Sequence, residues 1–493
     1  MIGAGTAGAV IASRLSEDRA CKVGLIEAGG PVTDPDIADP LKWPALQGRD
    51  YDWAYKTVPQ SFTANRVHDW PRGRILGGSS CINAMAHVRG HPSDFDSWAE
   101  AAGPRWSYAG LLPGFVRSEK RLSLWRPDGE ISPVARAFMA AGESLGVPRL
   151  GDHNGAELAG TAANTLTIHN GRRVTSADAY LPHDVLARPN LTLLLHHDVQ
   201  RIILEGTRAA GVIAIEHGTS RTILADRIVV CAGAVASPLL LMRSGVGDPA
   251  ALAAAGIACH AEGREVGRNL QDHLLVLGNV YRATEPVPPS RLQHSESLMY
   301  LHSEDIARAR GSPDIVLACV IAPAVSEAFT TPAYGSVFTL LSGVTHPTSR
   351  GTVSVTGPRY CDPPRIDPNY LRSEYDRLTA RKALMLARAV AAARAFDAWR
   401  GAELLPGPGA DLDAFISRAA CTHHHPVGTC RMGRDDASVV DENLGVRGIG
   451  NLFVVDASVI PRLPSGPINA AVMAIAETWA SLPGQIGTFR VRS

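Results

Sequence analysis

The sequence predicts an α/β chain (α+β overall) built on a Rossmann-like nucleotide-binding unit and completed by a second, strand-rich lobe. Three observations carry this. A glycine fingerprint with an acid at the right distance opens the chain, period-two alternation with proline-rich joints marks residues 276–419, and 493 residues exceed what one hydrophobic core serves. Lys+Arg 48 balances Asp+Glu 48 with no long run of one sign, so neither nucleic acid nor an anionic membrane is the expected partner, and a small molecule is. No apolar run approaches the ~18 residues of a membrane span, and the amino terminus lacks a signal-peptide pattern, so a cytoplasmic protein is expected. The eight cysteines form no CxxC pair, which argues against a disulfide framework or a zinc ribbon.

The opening stretch, MIGAGTAGAVIASRLSEDRACKVGLIEAGG, places Gly3, Gly5 and Gly8 in GxGxxG spacing. Helical apolar spacing follows over Ala7 to Leu15, then a short strand, CKVGLI, ends at Glu27. This is the order of a βαβ unit. The glycines let a turn approach a pyrophosphate, the helix start offers free N–H groups, and Glu27, nineteen residues past Gly8, can accept ribose hydroxyls. The unit does not choose between NAD and FAD, which share the same ADP half. Only Met1 and Ile2 precede Gly3, whereas a strand ordinarily takes ~5 residues, so the reading expects a truncated first strand or a start further upstream.

A second loop, Gly77-Gly78-Ser79-Ser80 within PRGRILGGSSCINAMAHVRG, presents several main-chain N–H groups and two hydroxyls, which suits a pyrophosphate or a flavin ring. It is accompanied, in order, by GAVASPLLLMRSGVG at 233–247, VGRNLQDH at 266–273, and HPVGTCRMG with VVDASVIP near the carboxy terminus. Together these resemble the glucose-methanol-choline (GMC) family of flavin oxidoreductases over nearly the whole chain. The resemblance implies FAD, a flavin domain assembled from separated segments, and a substrate domain with a largely antiparallel sheet. It assigns residues 1–275 mainly to the FAD-binding domain with substrate-domain insertions around 156–189, 276–419 to the substrate domain, and 420–493 to a return carrying the catalytic segment.

Carried over residue by residue, the resemblance puts Gly3, Gly5, Thr6, Ala7, Gly8, Glu27 and Ala28 around the adenosine diphosphate. Arg74, Gly77, Gly78, Ser79 and Asn83 fall along the pyrophosphate and flavin edge, and Val199 meets the adenine. Asp456 and Ala457 sit near the ribityl chain, with Ile468 among the cofactor contacts. Some members bind flavin covalently through a histidine directly before the motif's asparagine. Here that position is Ile82, so non-covalent FAD is expected. His87 stands where an aromatic is common and reads as a tolerated polar residue.

The run THHHPVGTCRMG at 422–433 is a poor metal cage, because successive side chains of a strand face opposite ways and no second ligand segment is evident, so no metal is expected. His423 and His424 read as surface residues. His425 differs, since Pro426 after it forces an extended backbone and fixes the ring's direction. In the family pattern this histidine is catalytic: it accepts the alcohol's hydroxyl proton while hydride passes to flavin N5, and neutral imidazole, with a reference pKa near ~6.5, suits that task. The usual second His or Asn falls on Pro467, which has no side-chain donor and no N–H. The work of holding the substrate oxygen then shifts to His425, Asn469 or the substrate lobe. A proline there resembles a branch that oxidises a primary alcohol on an aromatic ring, so a pyridoxine-like or aryl alcohol is the expected substrate.

Alternatives remain a choline-type or other aliphatic alcohol dehydrogenase, and a non-redox hydroxynitrile lyase on the same scaffold. No aromatic cage for a quaternary ammonium is evident, aromatics being 6% of residues. Oxygen or another acceptor, and the oligomeric state, are not encoded in any motif. Between the motifs, SVFTLLSGV and RGTVSV read as strands of the second lobe, and EYDRLTARKALMLARAVAAARAF from Glu374 as a long amphipathic helix with a solvated arginine stripe.

Overall fold

A computed structural model of the chain describes residues 1–127, 129–304 and 311–482. Gly5 is the N-cap of the helix Thr6–Leu15, whose small residues bury nearly every side chain against the sheet beneath. That sheet is parallel: Val23–Ile26 pairs with Leu191–Leu194, and Ile228–Val230 with Leu452–Val454. The two pairs are joined by the first three residues of the chain. Ile2 bridges Ile26 on one side and Val230 on the other, its N–H bonding Val229 at 2.9 Å and its carbonyl accepting from Cys231 at 2.7 Å, while Gly3 N–H bonds Ile26 at 2.8 Å. The short first strand thus occupies the centre of the layer and uses its few polar groups on both sides. Val23, Leu25, Val229, Val230, Leu452 and Val454 are buried, as strands covered on both faces must be.

The second layer is a seven-stranded antiparallel sheet in the order 400–405, 274–283, 337–344, 315–320, 295–301, 160–163, with Ala420–Thr422 pairing the start of Leu274–Ala283. Strand Gly160–Ala163 comes from the segment before residue 190, and SVFTLLSGV supplies Val337–Val344. RGTVSV does not join this sheet. Its strand Thr352–Ser354 pairs instead with Arg365–Asp367. The expected long helix runs Glu374–Ala392 and breaks into a 3-10 turn at Arg394–Phe396. It buries Ala380, Ala383, Leu384, Ala387 and Val390, and its outward Arg388 pairs with Glu403 at 2.7 Å. The helix Ile468–Ala480, buried from Ala470 to Ala480, packs between Thr6–Leu15 and Tyr108–Leu122, where its Glu477 is paired by Arg14, Arg117 and the Tyr180 hydroxyl.

Candidate active site

A cavity of about 1230 Å³ lies where the carboxyl ends of the parallel strands meet one face of the antiparallel sheet, the place where open α/β sheets take their ligands. Ile26–Ala28, Gly3, Gly5–Ala7, Cys231–Ala236 and Asp456–Ala457, at or just past the ends of parallel strands, form one wall. The opposite wall is apolar. Leu298, Ala318 and Leu341 stand side by side on neighbouring strands, and Tyr300, Val316, Gly343 and Leu275 make the adjacent row.

At the nucleotide end, two glycine loops touch. A methyl on Gly78, whose φ is +55°, would lie 2.7 Å from the Gly5 Cα, and one on Gly8 would lie 1.9 Å from the Gly3 carbonyl. Glu27 accepts main-chain N–H groups of Ala4 at 2.8 Å and Gly29 at 2.9 Å. Burial pushes its carboxyl pKa up, and those two N–H groups oppose the shift. Asp456 receives Ser237 Oγ and the Gly233 N–H on one oxygen and Ser458 on the other, so its side chain braces the loop at the cavity wall. The two contacting glycine loops, the helix N-terminus and the buried acid fit a dinucleotide, and Gly3, Gly8 and Gly78 leave no room for side chains of their own.

Gly3, Gly5, Thr6, Ala7, Glu27, Ala28, Gly78, Ser79, Asn83, Val199, Asp456, Ala457, Pro467, Ile468, Asn469 and His425 all line this cavity. Three expected contacts do not. Gly8 is used for close packing on Gly3. Gly77 donates its N–H to Ala4 at 2.8 Å in a left-handed turn. Arg74 lies over the Trp53 ring at 4.9 Å and points toward Asp198, 3.8 Å away. Ile82 lines the cavity. His87 does not: it is buried 3.3 Å from Glu119, which also grips Arg89. Arg173, which sequence reasoning missed, is buried and donates to both the carbonyl and Oδ1 of Asn83.

The histidine run acquires its geometry from an interrupted ladder. Residues 420–422 pair antiparallel with 274–276, His423 N–H bonds the His273 carbonyl at 2.9 Å, and Gln271 and Val427 exchange bonds beyond. Between these points His424 adopts a left-handed φ of 65° and Pro426 has no N–H. The two remaining donors are met by side chains, His424 N–H by Thr422 Oγ1 at 2.8 Å and His425 N–H by Asp272 Oδ1 at 2.7 Å. Asp272 also accepts from Thr422 and Tyr370. The bulge turns the His425 ring into the cavity.

His423 and His424 are not surface residues. Both line the cavity, and the His424 carbonyl accepts from Arg72 at 3.0 Å. The missing segment for a histidine cluster is also supplied, because His273, from VGRNLQDH, places Nδ1 2.9 Å from Nδ1 of His425. Candidate ligand atoms of His273, His423 and His425 lie within 4.8 Å of one another. The expectation of no metal therefore loses its ground of a missing ligand. The direct His273–His425 contact is a hydrogen bond, which is the arrangement of a proton-handling site. Burial first, then the neighbouring imidazoles, pushes His425 well below its usual 6.5. His273 is shifted the same way, burial first and then His423 and His346. Pro467 is the N-cap of the last helix, and Asn469 accepts the Thr6 hydroxyl at 2.8 Å through Oδ1.

A two-layer fold of this kind, with a dinucleotide cradle facing a neutral histidine across an apolar cleft, defines a nucleotide-dependent oxidoreductase. The chain belongs to the GMC oxidoreductases, whose amino-terminal region it matches over residues 1–275 and whose carboxy-terminal region it matches over 347–476. It is 49% identical to pyridoxine 4-oxidase of Microbacterium luteolum over 98% of each chain. It is 35% identical to an alcohol dehydrogenase [acceptor] of Pseudomonas putida, over 98% of this chain and 94% of the other. The crystal structure of pyridoxine 4-oxidase from Mesorbium loti superposes with a TM-score of 0.94 at 50% identity, covering 97% of both chains. The protein is an FAD-dependent oxidoreductase acting on CH–OH donors. Among the described residues no helix is long and apolar enough to cross a membrane.

Proposed function

We propose that this enzyme oxidises the primary alcohol of a small, uncharged aromatic substrate, pyridoxine or a close analogue, to the aldehyde, with oxygen as the acceptor. The observation that carries this reading is the charge pattern of the cavity. Of its charged lining residues, Glu27, Asp198, Arg243 and Asp362 interact with one another or with Arg74 and cluster at the nucleotide end. Lys56 is paired with Asp69, Asp456 is fully bonded, and Arg72 donates Nη1 to the His424 carbonyl while its Nε and Nη2 are buried without a protein partner. The half of the cavity beyond His425 is walled by Leu275, Leu298, Tyr300, Val316, Ala318 and Leu341. Such a wall takes a flat ring. These six side chains themselves carry no carboxylate for a quaternary ammonium and no cation for a phosphate. The identity to pyridoxine 4-oxidase supports the same substrate class, and none of the relatives named above is a lyase.

Bound FAD supplies the electron acceptor, held without a covalent bond because Ile82 offers no nucleophile. The chain supplies the rest. His425 takes the hydroxyl proton, the ladder bulge and Asp272 hold its backbone, the sheet face excludes water, and Pro467 leaves space for the ring.

Anaerobic mixing of the holoenzyme with pyridoxine, an aryl alcohol, choline and pyridoxine 5′-phosphate tests the reading. Flavin bleaching by the two neutral alcohols is expected. Bleaching by choline or the phosphate alone, or by none of the four, would overturn it.

A further inference from the structure

We propose that His273 is a positioning residue that holds His425 in the tautomer with its hydrogen on Nδ1, so that Nε2 presents a bare lone pair to the substrate hydroxyl. The inference rests on His425 being the base. The two Nδ1 atoms are 2.9 Å apart and the rings meet at 87°. When both rings are neutral, one nitrogen of this pair must donate and the other accept.

The surroundings of His273 decide which. Besides His425 and the rings of His423, 6.1 Å away between centroids, and His346, the polar groups against its ring are the main-chain carbonyls of Pro464 and Thr345. Both are acceptors, and a bare ring nitrogen facing them would be repelled. With Nδ1 turned to His425, Nε2 is the atom left for them. It is buried without a hydrogen-bond partner of good geometry, so a lone pair there would gain nothing, whereas an N–H gains the carbonyl dipoles. His273 therefore carries its hydrogen on Nε2 and accepts at Nδ1. His425 is the donor at its own Nδ1, and its Nε2 is free.

This arrangement also serves the chemistry. As the substrate O–H bond breaks, an N–H bond forms at His425 Nε2 and the electron pair stays on oxygen. The charge arriving on the ring strengthens the Nδ1–H···Nδ1 bond. In serine hydrolases a carboxylate plays the orienting part. Here the adjacent carboxylate, Asp272, is spent on the His425 main-chain N–H, Thr422 and Tyr370, and a neutral ring takes the orienting position. His273 is itself fixed, since its carbonyl accepts from His423 at 2.9 Å and its neighbour Leu274 begins the strand Leu274–Ala283.

Two measurements test the assignment. Nitrogen-15 spectra of histidine-labelled holoenzyme, assigned through single histidine variants, are expected to show His425 protonated at Nδ1 and bare at Nε2. In anaerobic stopped flow, His273→Leu should reduce flavin roughly 10- to 100-fold more slowly, with flavin content and apparent substrate affinity unchanged. His273→Asn, whose amide oxygen can occupy the acceptor position, should recover to within about fivefold of wild type. A His425 bearing hydrogen on Nε2, a Leu variant as fast as wild type, or an Asn variant as slow as Leu would each overturn the proposal. Rapid flavin reduction by His425→Ala would instead sink the assignment of the base, and so separates the two failures.

Discussion

Asp272 Oδ1 accepts the main-chain N–H of His425 at 2.7 Å, and that contact is what lets three consecutive histidines interrupt a β-ladder without leaving a buried donor unpaired. The same carboxylate receives the hydroxyls of Thr422 and Tyr370, and Tyr370 in turn accepts from Trp70 Nε1 at 3.1 Å. Four segments distant in sequence are thereby tied to one buried group. Asp272→Asn must set an NH₂ against one of these donors and is expected to cost about 1–3 kcal/mol. Tyr370→Phe, which removes one donor to Asp272 and the acceptor for Trp70, is expected to cost about 1 kcal/mol. Urea unfolding of the two holoenzyme variants measures both, and an Asn variant as stable as wild type would show that the bulge is held by other contacts.

His425 is pushed well below 6.5, chiefly by burial. A lowered pKa keeps a base in its neutral, proton-accepting form to more acidic pH. The rate of anaerobic flavin reduction is therefore expected to stay level between about pH 6 and 8, and not to fall with an ordinary histidine titration near ~6.5. His425→Ala should lose ~10² or more of that rate while retaining bound flavin. A pH profile bending near 6.5 would show that the ring is better solvated than its surroundings imply.

The parts of this site that were legible in the sequence are local ones. The glycine fingerprint, Glu27 and the proline that singles out His425 act within a turn or a strand of their own position, so their spacing is enough to find them. His273 stands 152 residues from His425 and reaches it only because residues 271–276 pair with 420–427. No spacing rule carries that register, although VGRNLQDH contained the residue. The same ladder overturned the surface reading of His423 and His424, whose side chains follow the bulge inward. Arg74 stays off the cavity lining for another reason: its guanidinium lies over Trp53 and toward Asp198.

Gly78 and Gly5 fix the separation of the two nucleotide loops. Gly78→Ala would add a methyl 2.7 Å from the Gly5 Cα at a φ of +55°. The backbone conformation alone costs about 1–2 kcal/mol for an L-residue, and the loops must also part. The variant is expected to purify folded but largely free of flavin, as read from the flavin-to-protein absorbance ratio. Full flavin occupancy would mean that the loops can separate without loss.

His68 is buried, with its Nε2 2.7 Å from Thr63 Oγ1, and burial lowers its pKa to about 4. In the unfolded chain the ring protonates near ~6.5. The folded state therefore binds fewer protons between those values. Its contribution to stability is present above about 6.5 and is lost as pH falls toward 4. His68→Gln removes this titration. Relative to the variant, the wild type should lose up to about 3 kcal/mol between pH 6.5 and 4, one pKa unit being worth about 1.4 kcal/mol. Parallel stability curves for the two proteins would place His68 in a solvated environment.

Pro467 occupies the N-cap of the helix Ile468–Ala480 with φ −53° and ψ 136°, and no side chain caps that end. Asparagine is a favoured N-cap residue, so Pro467→Asn should fold at least as well as wild type while projecting an amide into the cavity that Pro467 lines. If the substrate oxygen lacked a partner, this donor would supply one, and an oxyanion donor is worth ~10²–10³ in rate. With His425 taking the proton as the charge develops, that need does not arise. Flavin reduction by the best aromatic alcohol is expected to change by less than about threefold in this variant. A gain approaching 10² would show that the wild-type site leaves the oxygen unheld, and that proline at this position was kept for the space it frees beside the ring.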